Sequence, residues 1–199
     1  MRIYLAGPEV FLANAAAIAA AKRAVCARHG LTGVFPTDLL PGGHPLPAGD
    51  LPEWYSLYLA NEAHIRGCDA LVANLTPFRG PSADPGTVYE LGFMRALGRP
   101  VFGYSNVVAR FGSRTLAALG RKARQRADGA WEDPAGMAVE EFDLHDNLML
   151  DGGIRAAGGV LETAAVPEAA RWHDLTAFTR CVAAAARLPR IQPASISSA

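Results

Sequence analysis

Cysteine, excess charge and long apolar runs are all scarce in this sequence. The three cysteines, Cys26, Cys68 and Cys181, are odd in number and far apart. That spacing argues against a disulfide framework or a metal site and favours reduced thiols in a core, so we expect a cytoplasmic location. Lysine plus arginine number 19, as do aspartate plus glutamate, and this balance indicates no nucleic-acid partner. No apolar run approaches the roughly 18 residues of a membrane span, so no membrane partner is expected either.

Half of the residues are apolar, enough to bury the core of a single domain, which we place at residues 1–188. Residues 189–199 carry two prolines and three serines and are predicted to be a flexible tail. Apolar segments at 2–6, 32–36, 68–75 and 101–104 are predicted strands. They alternate with predicted helices at 10–27, 51–66 and 86–97. Such alternation favours a parallel sheet covered by helices on both faces.

Residues 105–150 break this alternation, and we interpret them as an excursion from the core. A basic segment at 110–126 predicts a helix, and the polar segment 127–135 predicts a loop. Residues 37–52 are rich in proline and glycine and predict another loop. Residues 153–166 show no clear pattern, and residues 172–188 predict a final helix.

Two carboxylates, Asp84 and Glu90, lie six residues apart where the loop after the third strand meets a helix. In open parallel sheets, ligands bind at the carboxyl ends of strands beside helix N-termini. A pair of acids at this point suits cleavage of an N-glycosidic bond. One carboxylate, Glu90, could trap the sugar carbon, and Asp84 could orient hydroxyl groups or handle a proton.

Both acids also have a structural interpretation as helix caps. Thr87 and Glu90 match the capping-box spacing, in which glutamate bonds back to the first amide of the helix. Asp84 followed by Pro85 is an alternative start, with Asp84 as the cap. With the start at Thr87, Glu90 lies in the first turn, where the helix dipole stabilises a carboxylate by about 0.3–1 kcal/mol, and we expect this to keep Glu90 ionised.

Five segments together resemble the nucleoside 2-deoxyribosyltransferases. They are Tyr-Leu-Ala-Gly-Pro at 4–8, Cys-Asp-Ala-Leu-Val-Ala-Asn-Leu at 68–75, the loop 76–84, Gly-Thr-Val-Tyr-Glu-Leu-Gly at 86–92, and Asp-Asn-Leu-Met at 146–149. The resemblance covers about residues 1–150. It implies a flavodoxin-like α/β fold, a three-layer sandwich with a central parallel sheet of about five strands. It also implies transfer of 2-deoxyribose between nucleobases by a retaining double displacement, without cofactor or metal.

The resemblance assigns roles to individual residues. Glu90 would be the nucleophile on C1′ and form a covalent deoxyribosyl-glutamate. The partners would be a deoxynucleoside and a free nucleobase. The chain would be a homo-oligomer, a dimer or an assembly of dimers, in which Asn147 and Met149 complete the neighbour's site. The residues expected to bind substrate are Tyr4, Gly7, Phe11, Asn61, Asp84, Asn147 and Met149.

Several of these residues have ordinary alternatives, and one departs from the family pattern. Tyr4 and Phe11 could be core residues, and Asn147 could belong to a turn. Related enzymes often carry an aspartate that helps the leaving base where this sequence has Asn61. An amide can donate and accept hydrogen bonds but cannot supply a proton as a carboxylic acid does. The sequence therefore leaves open how the base is protonated.

Two other functions remain open at this stage. One is hydrolysis of the N-glycosidic bond in (deoxy)nucleosides or their 5′-monophosphates. After the first strand, however, Pro8 lacks an amide donor and Glu9 is expected to repel a phosphate, which favours a nucleoside without phosphate. The other is a non-catalytic protein that binds a nucleotide derivative in the same pocket.

Overall fold

A computed structural model describes residues 1–40 and 51–189. Three short 3₁₀ turns, at Pro8–Phe11, Gly120–Lys122 and Glu168–Ala170, accompany the regular elements. The strands and helices follow in chain order: β1 (Arg2–Ala6), α1 (Ala15–Arg28), β2 (Thr32–Val34), α2 (Glu53–Arg66), β3 (Ala70–Asn74), α3 (Pro85–Ala96), β4 (Val101–Ser105), α4 (Phe111–Leu119), β5 (Arg124–Gln125), β6 (Trp131–Glu132), α5 (Leu148–Ala156), β7 (Leu161–Thr163) and α6 (Thr176–Ala185).

Five strands form one parallel sheet in the order β2-β1-β3-β4-β7. This is the strand order of flavodoxin-like folds, with β7 in the place of the fifth strand. The predicted α/β fold with a central parallel sheet of about five strands is therefore confirmed. Strands β5 and β6 pair with each other in a separate antiparallel hairpin.

Alternating side chains on β1 give the sheet its two covered faces. Ile3 and Leu5 pack in a core with residues of α1 and α6. Tyr4 and Ala6 point to the opposite face, where residues of α2, α3 and α5 cover the sheet. Tyr4 in the middle of β1 therefore points toward α3, the helix that carries Glu90.

Several predicted elements differ from the observed ones. The helix predicted at 110–126 ends at Leu119, because Gly120 adopts a left-handed φ of 55° that favours glycine over other residues. The polar segment 127–135, predicted as a loop, contains strand β6 of the hairpin. The predicted helix at 10–27 begins only at Ala15, after the first 3₁₀ turn. Residues 153–166, for which the sequence predicts no helix or strand, contain the end of α5 and all of β7.

Two predicted features lie in parts of the chain that the structure does not describe. Most of the loop predicted at 37–52, and all of the predicted tail after Pro189, lie outside the described residues. Within 1–40 and 51–189, no helix is both long and apolar enough to cross a membrane. Cys26, Cys68 and Cys181 are each buried with a free thiol, as expected for core cysteines.

Candidate active site

The Glu90 carboxylate lies beside the end of the first strand. Its Oε1 accepts a hydrogen bond of 2.7 Å from the Tyr4 hydroxyl. Glu90 itself is half-buried, and its Oε2 has no hydrogen-bond partner among the described residues. One oxygen is therefore held in place while the other is available to a ligand.

Burial raises the pKa of Glu90 to about 7, an effect that the Tyr4 hydrogen bond opposes and the nearby charge of Asp84 reinforces. Burial and the charge of Glu90 raise the pKa of Tyr4 well above its usual value, so Tyr4 remains a donor. The expectation that the helix dipole keeps Glu90 ionised is wrong. Helix α3 begins at Pro85, which places Glu90 in the second turn, beyond most of the dipole's reach.

Asp84, rather than Glu90, caps α3. Its Oδ2 accepts hydrogen bonds from the Thr87 amide at 2.9 Å and the Thr87 hydroxyl at 3.0 Å. The capping box between Thr87 and Glu90 is therefore not formed, and the alternative start at Asp84 and Pro85 is the one observed. The other oxygen of Asp84, Oδ1, makes no hydrogen bond with the described residues. Within residues 1–40 and 51–189, each acid of the predicted pair thus has one oxygen without a hydrogen-bond partner.

A cleft of about 380 Å³ opens beside Glu90. Helices α2 and α3 form its described walls, and the lining residues of α2 run from Trp54 in its first turn to Ile65 in its last. Asn61 lines this cleft, as does Gly86, which removes a side chain next to the carboxylates. The lining residues are Trp54, Leu57, Tyr58, Asn61, Glu62, Ile65, Gly86, Tyr89 and Glu90.

Sequence reasoning missed three polar residues of this cleft. The Glu62 Oε1 accepts hydrogen bonds from the Tyr58 hydroxyl at 2.6 Å and the Tyr89 hydroxyl at 2.7 Å. These two bonds lower the pKa of Glu62, so Glu62 is held ionised and is a poor proton donor. The signal was present in the sequence, because Tyr58 and Glu62 share a helix face at i and i+4, and Tyr89 precedes Glu90.

A second cleft, of about 460 Å³, lies on the loop between β3 and α3 and includes Asp84. Phe78 from this loop stacks on Phe11 with ring centroids 5.6 Å apart. The Arg79 guanidinium lies over both rings, 4.6 Å from the Phe78 centroid. Phe11 is 62% exposed, so it is not a core residue and its ring is open to a ligand.

A buried carboxylate leaves no room for a side chain at Gly7. A Cβ atom at Gly7 would lie 2.0 Å from the Glu9 Oε2. Glu9 points inward, and its Oε1 accepts hydrogen bonds from Lys22, from Asn74 at 2.8 Å and from Tyr104 at 2.8 Å. The expectation that Glu9 repels a phosphate is therefore wrong, because its charge is buried and neutralised by Lys22. The preference for an unphosphorylated nucleoside now depends on Pro8 alone.

The fold, the paired acids and the cleft can be compared with known proteins. Residues 3–149 match the sequence profile of the family described as nucleoside 2-deoxyribosyltransferase. The chain belongs to the nucleoside 2-deoxyribosyltransferase family. The matched region contains every residue predicted for the site, from Tyr4 to Met149.

This member of the nucleoside 2-deoxyribosyltransferase family is similar to an uncharacterized protein and to two solved structures. An uncharacterized protein of Schizosaccharomyces pombe is 31% identical over 166 residues, which cover 79% of this chain and 78% of that protein. The solved structure of 2-desoxiribosyltransferase from Leishmania mexicana matches with a TM-score of 0.58 and 29% identity, covering 91% of this chain and 96% of that one. A conserved protein from Enterococcus faecalis V583 shares the fold, with a TM-score of 0.50, 21% identity and coverage of 82% and 91%.

In this member of the nucleoside 2-deoxyribosyltransferase family, Asn147 and Met149 do not line the described part of the Glu90 cleft. Asn147 caps α5, because its Oδ1 accepts the Met149 amide at 3.0 Å, and its Nδ2 donates to Glu140 at 2.7 Å. Met149 is 71% exposed. The structure thus brings Tyr4 and Asn61 to Glu90 and Phe11 to the loop that ends at Asp84, whereas Asn147 and Met149 lie apart at the start of α5.

Proposed function

We propose that this protein transfers 2-deoxyribose between nucleobases, with Glu90 as the nucleophile. The observation that carries the proposal is the state of the Glu90 carboxylate. One oxygen is fixed by Tyr4, and the other has no hydrogen-bond partner among the described residues and lies in a cleft near a second acid, Asp84. A carboxylate that served only to cap the helix would have its oxygens on backbone amides instead.

In the first step, Glu90 Oε2 attacks C1′ of the deoxynucleoside. The bond from C1′ to the base nitrogen breaks, and its electron pair leaves with the base, which takes a proton from solvent. Asn61 cannot supply that proton, and Glu62 in the same cleft is held ionised by Tyr58 and Tyr89. The product is a deoxyribosyl ester of Glu90, formed with inversion at C1′.

In the second step, a nitrogen of the incoming base attacks C1′ and loses its proton to solvent. The ester bond breaks, its electron pair returns to the carboxylate, and Glu90 is regenerated. Two inversions give overall retention at C1′. Asp84 Oδ1, free of protein hydrogen bonds among the described residues, accepts a hydrogen bond from a sugar hydroxyl and orients the ring in both steps.

Base exchange is tested by incubating a deoxynucleoside with and without a second base. We expect the new deoxynucleoside to form only when the second base is present, with little free deoxyribose in either reaction. Equal release of free deoxyribose in both reactions would instead identify a hydrolase. Binding of the deoxynucleoside without any turnover would identify a binding protein.

Replacing Tyr4 by phenylalanine is expected to change the pH dependence of kcat/KM. The Tyr4 hydroxyl stabilises the ionised form of Glu90, so its loss moves the pKa of Glu90 above its value of about 7. The acid limb of the profile should then move up by about one pH unit or more, because a hydrogen bond to a charged group contributes about 1.5–3 kcal/mol. Activity should fall more at pH 6 than at pH 9. An unchanged acid limb would contradict the coupling between Tyr4 and Glu90.

We also propose that two copies of the chain share their sites. Beside the Glu90 cleft, Trp54, Leu57 and Tyr89 are 69%, 44% and 49% exposed, an apolar surface of the kind that partners cover. Met149 is exposed as well, and reaches no described part of its own chain's cleft. A second copy could present Asn147 and Met149 to this surface. An active protein whose mass in light scattering equals one chain would contradict the shared site.

A further inference from the structure

Asp146 is a buried carboxylate with no part in the reaction described above. It is 1% exposed and lies just before α5. Its Oδ1 accepts hydrogen bonds from the Ser82 hydroxyl and the Asn147 amide, and its Oδ2 accepts the Ala83 amide at 3.0 Å. Two of these donors belong to the loop that ends at Asp84. A carboxylate with this many donors is held in one position.

Arg114 of α4 holds the same loop from a second side. Its side chain is 9% exposed, and its Nη2 lies 3.3 Å from the Asp146 Oδ2. Its Nε donates to the Pro81 carbonyl at 2.7 Å. Three consecutive loop residues, Pro81, Ser82 and Ala83, are therefore bound by a buried ion pair from the 105–150 segment.

The next residue along this loop is Asp84, whose position depends on these contacts. Asp84 uses Oδ2 to cap α3 and keeps Oδ1 free among the described residues. The cap to Thr87 fixes Asp84 relative to Glu90 on α3. The contacts of Asp146 with Ser82 and Ala83 hold the chain just before Asp84. A loop that moved by a fraction of an ångström would change how Oδ1 meets a sugar hydroxyl.

We propose that Asp146, assisted by Arg114, is a positioning residue that holds Asp84 for recognition of the substrate's 3′-hydroxyl. The inference rests on the proposed function, since it assigns a specificity role within the same site. Asp146 touches neither substrate nor Glu90. It acts on Asp84 through Ser82 and Ala83, and it also accepts the Asn147 amide. The segment 105–150 thus takes part in substrate selection.

The test compares two substrates that differ by one hydroxyl group, a 2′-deoxynucleoside and the matching 2′,3′-dideoxynucleoside. In the wild-type protein, Asp84 should favour the first in kcat/KM by about 10- to 150-fold, the range for a hydrogen bond to a charged group. Asp146→Asn should lower kcat/KM for the deoxynucleoside by about tenfold or more while changing that for the dideoxynucleoside by less than about threefold. A purely structural role would lower both equally.

Two further variants make the comparison sharper. Ser82→Ala removes a single donor to Asp146 and should shift the preference in the same direction by a smaller factor, even if Asp146→Asn folds poorly. Asp143→Asn is the matched control, because Asp143 lies three residues away, is 84% exposed in its side chain, and forms an ion pair with the half-exposed Arg110. It should leave the preference unchanged. Equal losses on both substrates in Asp146→Asn and Ser82→Ala would overturn the inference.

Failure of the positioning role of Asp146 can be distinguished from failure of the proposed transferase function. If the wild-type protein exchanges bases but Asp146→Asn keeps the full preference for the deoxynucleoside, the positioning role is wrong and the transferase proposal stands. If the wild-type protein shows no turnover, calorimetry of the two nucleosides binding to the protein decides the positioning role. A binding preference for the 3′-hydroxyl that Asp146→Asn abolishes supports it, and a preference that Asp146→Asn leaves intact overturns it.

Discussion

Replacing Glu90 by glutamine is expected to abolish base exchange. Glutamine keeps an oxygen that can accept the Tyr4 hydroxyl, but its neutral amide cannot form the ester with C1′. Loss of a covalent nucleophile lowers kcat on the order of 10⁴- to 10⁶-fold. The measurement is the rate of new deoxynucleoside formation in the presence of a second base.

The same variant should remain folded. The pKa of Glu90 is raised to about 7, so above pH 7 the folded protein carries a carboxylate in surroundings that disfavour its charge. Glutamine removes that penalty, and the free energy of unfolding at pH 8 should be unchanged or higher. Glu168→Gln, at a side chain 87% exposed, is the control and should keep full activity. Near wild-type exchange by Glu90→Gln would refute the nucleophile assignment.

Replacing Lys22 by methionine is expected to be the most destabilising change. Glu9 and Lys22 are 1% and 0% exposed, and the Lys22 ammonium also lies 5.3 Å from the Phe178 ring centroid. Without Lys22, Glu9 becomes a buried charge with no counter-ion. Breaking a buried ion pair in this way costs about 3–5 kcal/mol. Urea unfolding measures the loss, and Lys122→Met on an exposed turn should change stability by less than about 0.5 kcal/mol.

The destabilisation caused by Lys22→Met should depend on pH and on Glu9. Burial alone would raise the pKa of Glu9, but the charge and hydrogen bond of Lys22, together with hydrogen bonds from the backbone and Tyr104, lower it. Glu9 therefore stabilises the fold above its unfolded pKa, and this contribution is lost as the pH falls through the lower folded pKa. The difference between wild type and Lys22→Met should shrink below about pH 4. Adding Glu9→Gln to Lys22→Met should recover much of the loss. If the losses of stability from Glu9→Gln and Lys22→Met simply add in the double variant, Glu9 and Lys22 are not coupled.

The strands and the catalytic junction could be predicted because their signals are local. Strand β3 is buried at every position, and four of its five residues are apolar, so it appears in the sequence as an apolar run. The loop after it ends in Asp84 and Pro85, and a proline directly after an aspartate marks a helix start. The pattern did not reveal the depth at which Glu90 lies. That depth comes from α2 and β1, which are distant in sequence, and it reverses the expected direction of the pKa shift.

The elements that sequence reasoning missed have weak local signals. Strand β7 has three residues, all only partly buried, as an edge strand with no apolar run. Helix α5 contains Gly152 and Gly153, which each cost about 1 kcal/mol in a helix interior. It forms because Leu150 and Ile154, one turn apart, are buried against the sheet and α3. The Glu9–Lys22 pair could not be predicted either, because it depends on how the 3₁₀ turn folds over β1.

Intact-mass spectrometry of the protein, quenched in acid during turnover of a deoxynucleoside without a second base, tests the role of Glu90 most directly. We predict a fraction of protein heavier by one deoxyribosyl group, with the added mass on the peptide that contains Glu90. The adduct should disappear when a second base is added, and should be absent from Glu90→Gln. Exchange without any adduct, or an adduct on a different residue, would contradict the double displacement through Glu90.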